Sequence, residues 1–545
     1  MNTSSSGAHG TSSHNTSFTS RQSIKRLFRS TVTPSDRPII EQFVKDAEKE
    51  LMGYEAEIVF LEHKRDGLKK KLVQYRSLLS PIHRLPPEVL RHIFTMFEVD
   101  YCSLQPPIPA PAIAVAATCG RWRDIAISAP SLWSRIAVEF IEWKKSYHAL
   151  VPLTQLFMDR SRESPLELIF NFEGLDVLPV ELVPSLENLV QHSNRWRNLK
   201  LWCIPKQILV HEVFKSIAGH LPLLANLLIF GPCGERSSTN FHCDLFGDCP
   251  NLSSITFEAF NPLRPEIPLP TGQIKSCVVL NSSSHDAFMS ISSFPSVERI
   301  GIQWCGKHAY GGEHVMNPFV KHLSITAAQP DEAYCAFKYS TLPQLTSLEM
   351  SCTTGASDAD IAWKDWDEVH VADFFVRSAC ALTSLSLQYV PISDDQLLHF
   401  LRLMPSLESL QLEESTNSQS NRTITGRFLN RLAIDYQDMS PPFLPRLRRI
   451  KFIMHEDGLV EAVLPKTLAS RWIPDDQYAS EVGIDCIKSI DIVFIAEDER
   501  PVDALLLKLQ WMSTVGVWVT VATCMSVKTD DMDEELEREG NHNTT

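Results

Sequence analysis

The chain lacks the sequence motifs of the common enzyme classes. It contains no GxSxG nucleophile elbow, HExxH zinc pair, GxxxxGK[ST] phosphate loop or GxGxxG dinucleotide fingerprint. Each of these patterns supplies a nucleophile, metal ligands or phosphate-binding backbone, so their absence argues against the corresponding hydrolases, proteases, nucleotidases and dehydrogenases. We therefore expect no catalytic residues, no metal and no cofactor, and predict that the chain is not an enzyme.

Close cysteine pairs are also missing. The thirteen cysteines never form a CxxC pattern, and the nearest two are Cys243 and Cys249. That spacing fits neither a zinc ribbon nor a disulfide framework, so we expect buried free thiols in a reducing compartment. The first ten residues contain no apolar stretch, and no signal peptide is predicted. We expect an intracellular protein, in the cytoplasm and/or the nucleus.

Basic residues are fewer than acidic ones, and no long run of residues is strongly apolar. Lys and Arg total 51 against 66 Asp and Glu, which gives a formal net charge of −15. Nonspecific nucleic-acid binding needs clustered basic residues, so we expect no nucleic-acid partner. The uncharged run from Leu509 to Val527 is diluted by Ser, Thr and Gln and interrupted by Gly516. It predicts no membrane span but a helix over about 503–513 followed by a buried strand.

A chain of 545 residues is too long for one hydrophobic core and predicts several structural units. Residues 1–36 are rich in Ser, Thr, Asn and His and are predicted to be a disordered tail. Residues 528–545 are acidic and are predicted to be a second disordered tail.

Residues 37–79 are predicted to form an amphipathic or coiled-coil helix. Apolar residues recur every seven positions, at Val44, Ala47, Leu51, Tyr54, Ile58, Leu61, Leu68, Leu72, Tyr75 and Leu79. Two interpretations stay open: one helix that packs on its own protein, or self-association through residues 44–79. Arg65 in the apolar seam and Gly67 beside it weaken a long continuous dimer.

Residues 80–134 predict short amphipathic helices. The first starts at Pro86 and Pro87, and its apolar residues recur three to five positions apart, at Leu85, Val89, Ile93 and Phe94. A second helix ends at Ala129, because Pro130 disfavours helical geometry in the residue before it.

This segment resembles the F-box, and in particular the F-box-like proteins that fungi carry in large numbers. The resemblance rests on LPPEVLRHIF at 85–94, RWRDIA at 121–126 and PSLW at 130–133. It implies a three-helix module that binds the adaptor of a cullin-based ubiquitin ligase of the SCF type. The implied adaptor-binding residues are Leu85, Pro86, Val89, Leu90, Ile93 and Phe94. An alternative is that these helices only cap the structure that follows.

Residues 135–527 repeat the pattern apolar-x-x-apolar-x-apolar, as at Leu407, Leu410 and Leu412. The period-two ending predicts a short strand, and helical spacing often follows, so each repeat is predicted to be strand, loop and helix. The anchor positions are Leu199, Leu227, Ile255, Ile300, Leu323, Leu348, Leu385, Leu410, Ile450 and Ile490, at intervals of 23 to 45 residues.

This pattern resembles the leucine-rich-repeat family, with irregular repeats. The predicted fold class is therefore α/β: an N-terminal long helix and F-box helices, followed by an irregular leucine-rich-repeat solenoid with a parallel sheet. The alternative is an unrelated α/β fold with several parallel strands.

Trp363 and Trp366 lie among acidic residues in a predicted insertion between repeats. They are candidates for an aromatic anchor that binds a partner, and the alternative is that they pack onto the edge of the solenoid. Together these features predict a substrate-recognition subunit that binds an adaptor through the F-box and an unknown protein substrate through the repeats. A repeat-based interaction scaffold is the alternative.

Overall fold

The computed structural model of the chain describes most residues between 31 and 524. The described residues are 25, 28–29, 31–96, 101–104, 111–140, 147–231, 243–258, 267–280, 287, 292–305, 314–352, 363, 366, 368–415, 422–436, 441–473, 475–496 and 500–524. Most of the predicted tail 1–36 and all of the predicted tail 528–545 lie outside them. The chain divides into two compact units, residues 1–90 and 91–545. This division falls inside the segment 80–134, and the predicted domain boundaries stay predictions.

The first unit contains one long helix, α1, which spans Arg37–Leu78 and has 42 residues. Pro38 occupies its first turn, where a missing backbone N–H does no harm. Every described residue from 41 to 79 is exposed, including the whole apolar seam. A 3-10 turn, Pro81–Arg84, follows α1. Helix α2, Pro87–Thr95, crosses from the first unit into the second.

The second unit contains strands and helices, which alternate in much of the chain. Its described α-helices are α3 Pro111–Thr118, α4 Gly120–Ile127, α5 Tyr147–Ser161, α6 Val183–Val190, α7 Lys206–Leu209, α8 Glu212–Lys215, α9 Pro330–Tyr339, α10 Glu368–Ser378, α11 Asp394–Arg402, α12 Gly426–Leu432, α13 Leu459–Ala462, α14 Leu464–Ser470, α15 Asp476–Val482 and α16 Arg500–Thr514. Short 3-10 turns lie at Pro130–Trp133, Val180–Leu182, Ser193–Arg195 and Thr271–Gln273.

The strands are short, and almost all belong to one sheet. They are β1 Cys102–Ser103, β2 Arg135–Glu139, β3 Leu166–Asn171, β4 Trp196–Trp202, β5 Asn226–Ile229, β6 Ser254–Glu258, β7 Ser276–Leu280, β8 Arg299–Gln303, β9 Val315–Met316, β10 His322–Ala327, β11 Ser340–Thr341, β12 Ser347–Cys352, β13 Ser384–Gln388, β14 Ser409–Glu413, β15 Arg449–Met454, β16 Ser489–Ile495 and β17 Trp518–Cys524.

Fifteen of these strands form a parallel sheet in chain order, with each strand next to its neighbours in sequence. Strands β9 and β11 pair separately. A parallel sheet in which consecutive strands are adjacent, with helices in many of the connections, is the arrangement of stacked strand–helix repeats. The predicted fold class is therefore confirmed.

The predicted anchor residues occupy equivalent positions on neighbouring strands. Leu199 pairs with Leu227, which pairs with Ile255, and the same row continues from Ile300 through to Ile490. These side chains are at most 2% exposed and form one continuous core. The inward position of every repeat thus packs on the inward position of the next.

Strand β7, which lies between two predicted anchors of the main sheet, escaped the sequence pattern. The predicted interval between Ile255 and Ile300 is the longest of the series, yet strand β7 lies inside it and places Cys277 between the two anchors. Cys277 is fully buried, and burial raises the pKa of its thiol. A cysteine behaves here as a small apolar residue, so a pattern built from Leu, Ile and Val missed the repeat.

The prediction for the last repeat needs a correction. The helix forms as α16, but the strand that follows it is not buried: Trp518 is 72% exposed, and the rest of β17 is exposed or half-buried. The reason is its position, because β17 pairs only with β16 and ends the described sheet. Among the helices that the structure describes, none is both long enough and apolar enough to cross a membrane.

Two buried polar side chains tie neighbouring repeats together. Arg471 follows α14 and donates to the carbonyl oxygens of Leu432, Phe443 and Leu444. Glu414 follows β14, and its carboxylate accepts from the backbone N–H groups of Thr423, Ile424 and His455. Both side chains pair with backbone groups of other segments, which satisfies those groups away from water.

Candidate functional site

The helix α2 begins at a double proline and has an acidic residue in its first turn, which suits its dipole. Pro87 is its first residue, Glu88 lies in the first turn and His92 in the last. The backbone N–H of Leu90 donates to the Pro86 carbonyl oxygen at 3.1 Å. Pro86 itself is exposed, and Leu85 is half-buried.

Helix α2 has a buried side and an exposed side. Leu90 is 0% exposed and Phe94 is 3% exposed, whereas Val89 is 42% exposed and Ile93 is 38% exposed. Met96, just after the helix, is 63% exposed. Val89, Ile93 and Met96 follow the i, i+4, i+7 spacing of one helix face, and we call them the exposed α2 stripe.

The structure thus divides the six residues predicted to bind an adaptor. Leu90 and Phe94 are core residues, while Pro86, Val89 and Ile93 remain accessible. Sequence reasoning missed Met96, although its position seven residues after Val89 is a signal that it shares the same face.

The buried end of α2 packs against α4. The rings of Phe94 and Trp122 lie 4.8 Å apart. Cys119 caps α4, since its sulfur accepts from the Trp122 backbone N–H at 3.5 Å. The helix then leads to Trp133, whose indole N–H donates to the Ala126 carbonyl oxygen at 2.8 Å.

Trp133 connects these helices to the repeat core. It is 3% exposed, and its ring lies edge-on to Phe157 of α5 at 5.2 Å. Strand β1, from the proline-rich gap between α2 and α3, pairs with β2 and forms the first strand of the sheet. Burial raises the pKa of the Cys102 thiol on this strand, so the thiol stays protonated. The segment therefore covers the start of the sheet.

The tryptophans predicted as a partner anchor lie in the core. Trp363 is 2% exposed and Trp366 is 7% exposed. Their rings stack at 6.0 Å, and Trp366 lies edge-on to Phe400 at 5.6 Å. This placement matches the alternative of packing onto the solenoid, and a partner-binding role for the pair stays a prediction that requires their exposure.

Aromatic residues do reach the solvent-facing side of the sheet elsewhere. Trp202 is the last residue of β4, and Phe230 directly follows β5. The centroids of their rings lie 4.9 Å apart. The Lys200 ammonium lies 5.2 Å from the Tyr101 ring centroid. All four are half-buried, and we call them the aromatic patch. The sequence contained a signal for the position of Trp202. In a strand, alternate residues face opposite sides, so Trp202 faces away from the buried Leu199 and Leu201.

The described residues contain no group of three His, Cys, Asp or Glu side chains that could hold a metal ion. A cleft of about 310 Å³ lies beside the end of α2. Its lining mixes apolar residues such as Phe94 and Val115 with Arg135 and Glu167, which form an ion pair at 3.4 Å.

Comparison with known proteins gives two findings. Residues 82–139 match the F-box-like family, and this range covers α2, α3, α4 and β2. A solved structure of a TLR13–ssRNA13 complex is similar to the chain at 12% identity and a TM-score of 0.24. That likeness covers 61% of this chain and 54% of the other, so the chain spans about half of its length. No curated protein matches the chain.

Proposed function

We propose that the chain is the substrate-recognition subunit of a cullin-based ubiquitin ligase of the SCF type. The observation that carries this proposal is the exposed α2 stripe on a helix inside the F-box-like match at 82–139. F-box modules bind the small adaptor of these ligases, and accessible apolar side chains on a rigid helix are suited to such an interface.

The adaptor contact would use Pro86, Val89 and Ile93 directly, extended by Met96. Leu90 and Phe94 would hold the helix in place, because Leu90 is fully buried and Phe94 packs on Trp122. Leu85, which is half-buried, belongs to the same predicted set.

The repeats would bind a protein substrate on the solvent-facing side of the sheet. The aromatic patch supports this, since aromatic residues are enriched at the centre of protein interfaces. The half-buried apolar residues Ile169, Leu228 and Val278 lie on the same side of β3, β5 and β7. The chain would add no covalent chemistry of its own. It would raise the effective concentration of the substrate near the ubiquitin carrier, inside the cell.

Binding of purified adaptor to the full chain tests the proposal. In the double variant Val89→Asp/Ile93→Asp, two charges would enter the interface, and we expect affinity to fall about 100-fold or more. The matched control is Val369→Asp/Val376→Asp, which changes two exposed valines of α10 that are 68% and 79% exposed. The control should bind like the wild type.

A wild-type chain that does not bind the adaptor, or an α2 variant that binds equally well, would overturn the assignment. The remaining candidate function is then a repeat-based interaction scaffold. It is favoured by one observation: β1 and Trp133 make the F-box-like segment part of the sheet and its core.

A further inference from the structure

Helix α1 carries an apolar seam that is exposed among the residues the structure describes. Leu51, Leu61 and Leu68 of this seam are between 54% and 66% exposed. The helix is continuous over 42 residues despite Gly53 and Gly67. Neither glycine is itself a seam residue, and each lies in open space where an added Cβ would meet nothing within 4 Å. A helix with an exposed apolar seam is stabilised in water when a second helix covers that seam.

The residues that flank the seam divide by charge along the helix. With Val44 at position a and Ala47 at position d, the flanking e and g positions hold acidic residues in the first part and basic residues in the second. The acidic ones are Glu41, Glu48, Glu50, Glu55, Glu57 and Glu62, and the basic ones are Lys64, Lys69, Lys71 and Arg76. These positions set partner choice and orientation in coiled coils.

A parallel pair of α1 helices would bring like charges together. In a parallel dimer each g residue faces the e residue five positions later on the other helix. That rule pairs Glu50 with Glu55, Glu57 with Glu62, Lys64 with Lys69 and Lys71 with Arg76. Two Arg65 side chains would also meet in the seam, so all four flanking contacts and one core layer oppose a parallel dimer.

An antiparallel pair brings the acidic half of one helix onto the basic half of the other. When Ile58 lies opposite Leu61 of the other copy, the seam is covered from Ile40 to Leu79. Four kinds of flanking contact are then attractive: Glu41 with Arg76, Glu48 with Lys69, Glu50 with Lys71 and Glu57 with Lys64. One kind, Glu55 with Glu62, is repulsive. Arg65 lies opposite Tyr54 rather than another arginine.

We propose that two copies of the chain associate through α1 as an antiparallel coiled coil. The seam would be about 60 Å long at 1.5 Å per residue. Each F-box-like match begins four residues after Leu78, the last residue of α1. The two F-box-like segments therefore leave opposite ends of the seam, and the dimer presents two repeat arrays to a substrate. Bivalent binding of this kind raises avidity without new contacts.

Sedimentation equilibrium of the full chain tests the proposal with charge reversal. Lys69→Glu/Lys71→Glu reverses four contacts in the symmetric dimer. At about three-fold for each contact, we expect self-association to weaken about 100-fold. Glu48→Lys/Glu50→Lys should weaken it equally. An equimolar mixture of the two variants should form heterodimers, because all four contacts become attractive again.

The matched control is Lys49→Glu/Lys70→Glu, which makes the same change in net charge at positions facing away from the seam. It should dimerise like the wild type, and circular dichroism should show unchanged helicity in all variants. A monomeric wild type would overturn the proposal, as would a control that weakens as much as the seam variant. Stronger association of Lys69→Glu/Lys71→Glu would mean a parallel pair. Adaptor binding should also be measured for the Lys69→Glu/Lys71→Glu variant. If this variant is monomeric and still binds the adaptor, the dimer and the proposed function are tested independently of each other.

Discussion

Arg471 offers the sharpest test of how the repeats are held together. Its side chain is fully buried, and its guanidinium donates to three backbone carbonyl oxygens: Leu432 at 2.8 Å, Leu444 at 3.0 Å and Phe443 at 2.5 Å. Its own carbonyl oxygen accepts from the Ile487 backbone N–H at 3.0 Å. One residue therefore joins the end of α12, the segment before β15 and the segment before β16.

The cost of losing this side chain follows from those contacts. Each buried carbonyl left without a partner costs about 1–3 kcal/mol, while removing the charge relieves part of its desolvation cost. Burial lowers the pKa of Arg471 to about 10, so the group is still charged at pH 7. With the cavity added, Arg471→Ala should lose about 3–5 kcal/mol of unfolding free energy. Arg471→Lys should lose about 1.5–3 kcal/mol, because one ammonium nitrogen replaces three donor nitrogens.

Urea unfolding followed by tryptophan fluorescence measures this loss, since Trp472 and Trp511 pack edge-on at 5.2 Å beside the site. Hydrogen exchange of the segment 441–447 should also become faster. Arg402, an exposed residue of α11, is the control, and its change to alanine should cost at most about 0.5 kcal/mol. If Arg471→Ala were as harmless as the control, the buried guanidinium would not be what joins these segments.

Two further predictions concern the F-box-like segment and the substrate-binding side of the repeats. Trp133→Phe loses the hydrogen bond to Ala126 and should cost about 1–2.5 kcal/mol while adaptor affinity stays unchanged, which thermal unfolding and a binding assay would check. Proximity labelling in cells under proteasome inhibition tests the repeats. Trp202→Ala/Phe230→Ala should lower the labelling of proteins near the chain. The double change Trp363→Phe/Trp366→Phe, in buried residues, should leave the set of labelled proteins unchanged. Equal labelling by the first variant and the wild type would count against the aromatic patch.

The repeats could be predicted because their strands depend on local, periodic signals. Leu385 and Leu387, like their counterparts in other strands, are apolar at period two and point into the core. The pattern fails where burial is achieved with an unusual residue, as with Cys277. It also fails at β17, where sequence shows an apolar strand but not the lack of a second neighbour. Both failures concern tertiary context that no local window contains.

The candidate site was predicted less completely, because the exposure of a side chain depends on residues far away in sequence. The segment predicted to contact an adaptor is a helix as expected, but its side chains divide between core and surface. Phe94 is covered by Trp122, which lies in another helix. For the same reason Trp363 and Trp366 could not be told from surface residues, since Phe400 covers Trp366 from α11.

The two interpretations of the F-box-like segment are physically compatible. Capping needs the buried side of the segment, which holds Leu90, Phe94 and Trp133, whereas adaptor binding needs the exposed α2 stripe. A helix with one side fixed in a core loses little conformational entropy when the other side binds a partner, so the cap would favour docking. The two roles separate by substitution: Val89→Asp/Ile93→Asp should abolish adaptor binding with little effect on unfolding, and Trp133→Phe should do the reverse. If both changes affected both measurements equally, α2 would have a single buried role, and the adaptor-binding proposal would lose its support.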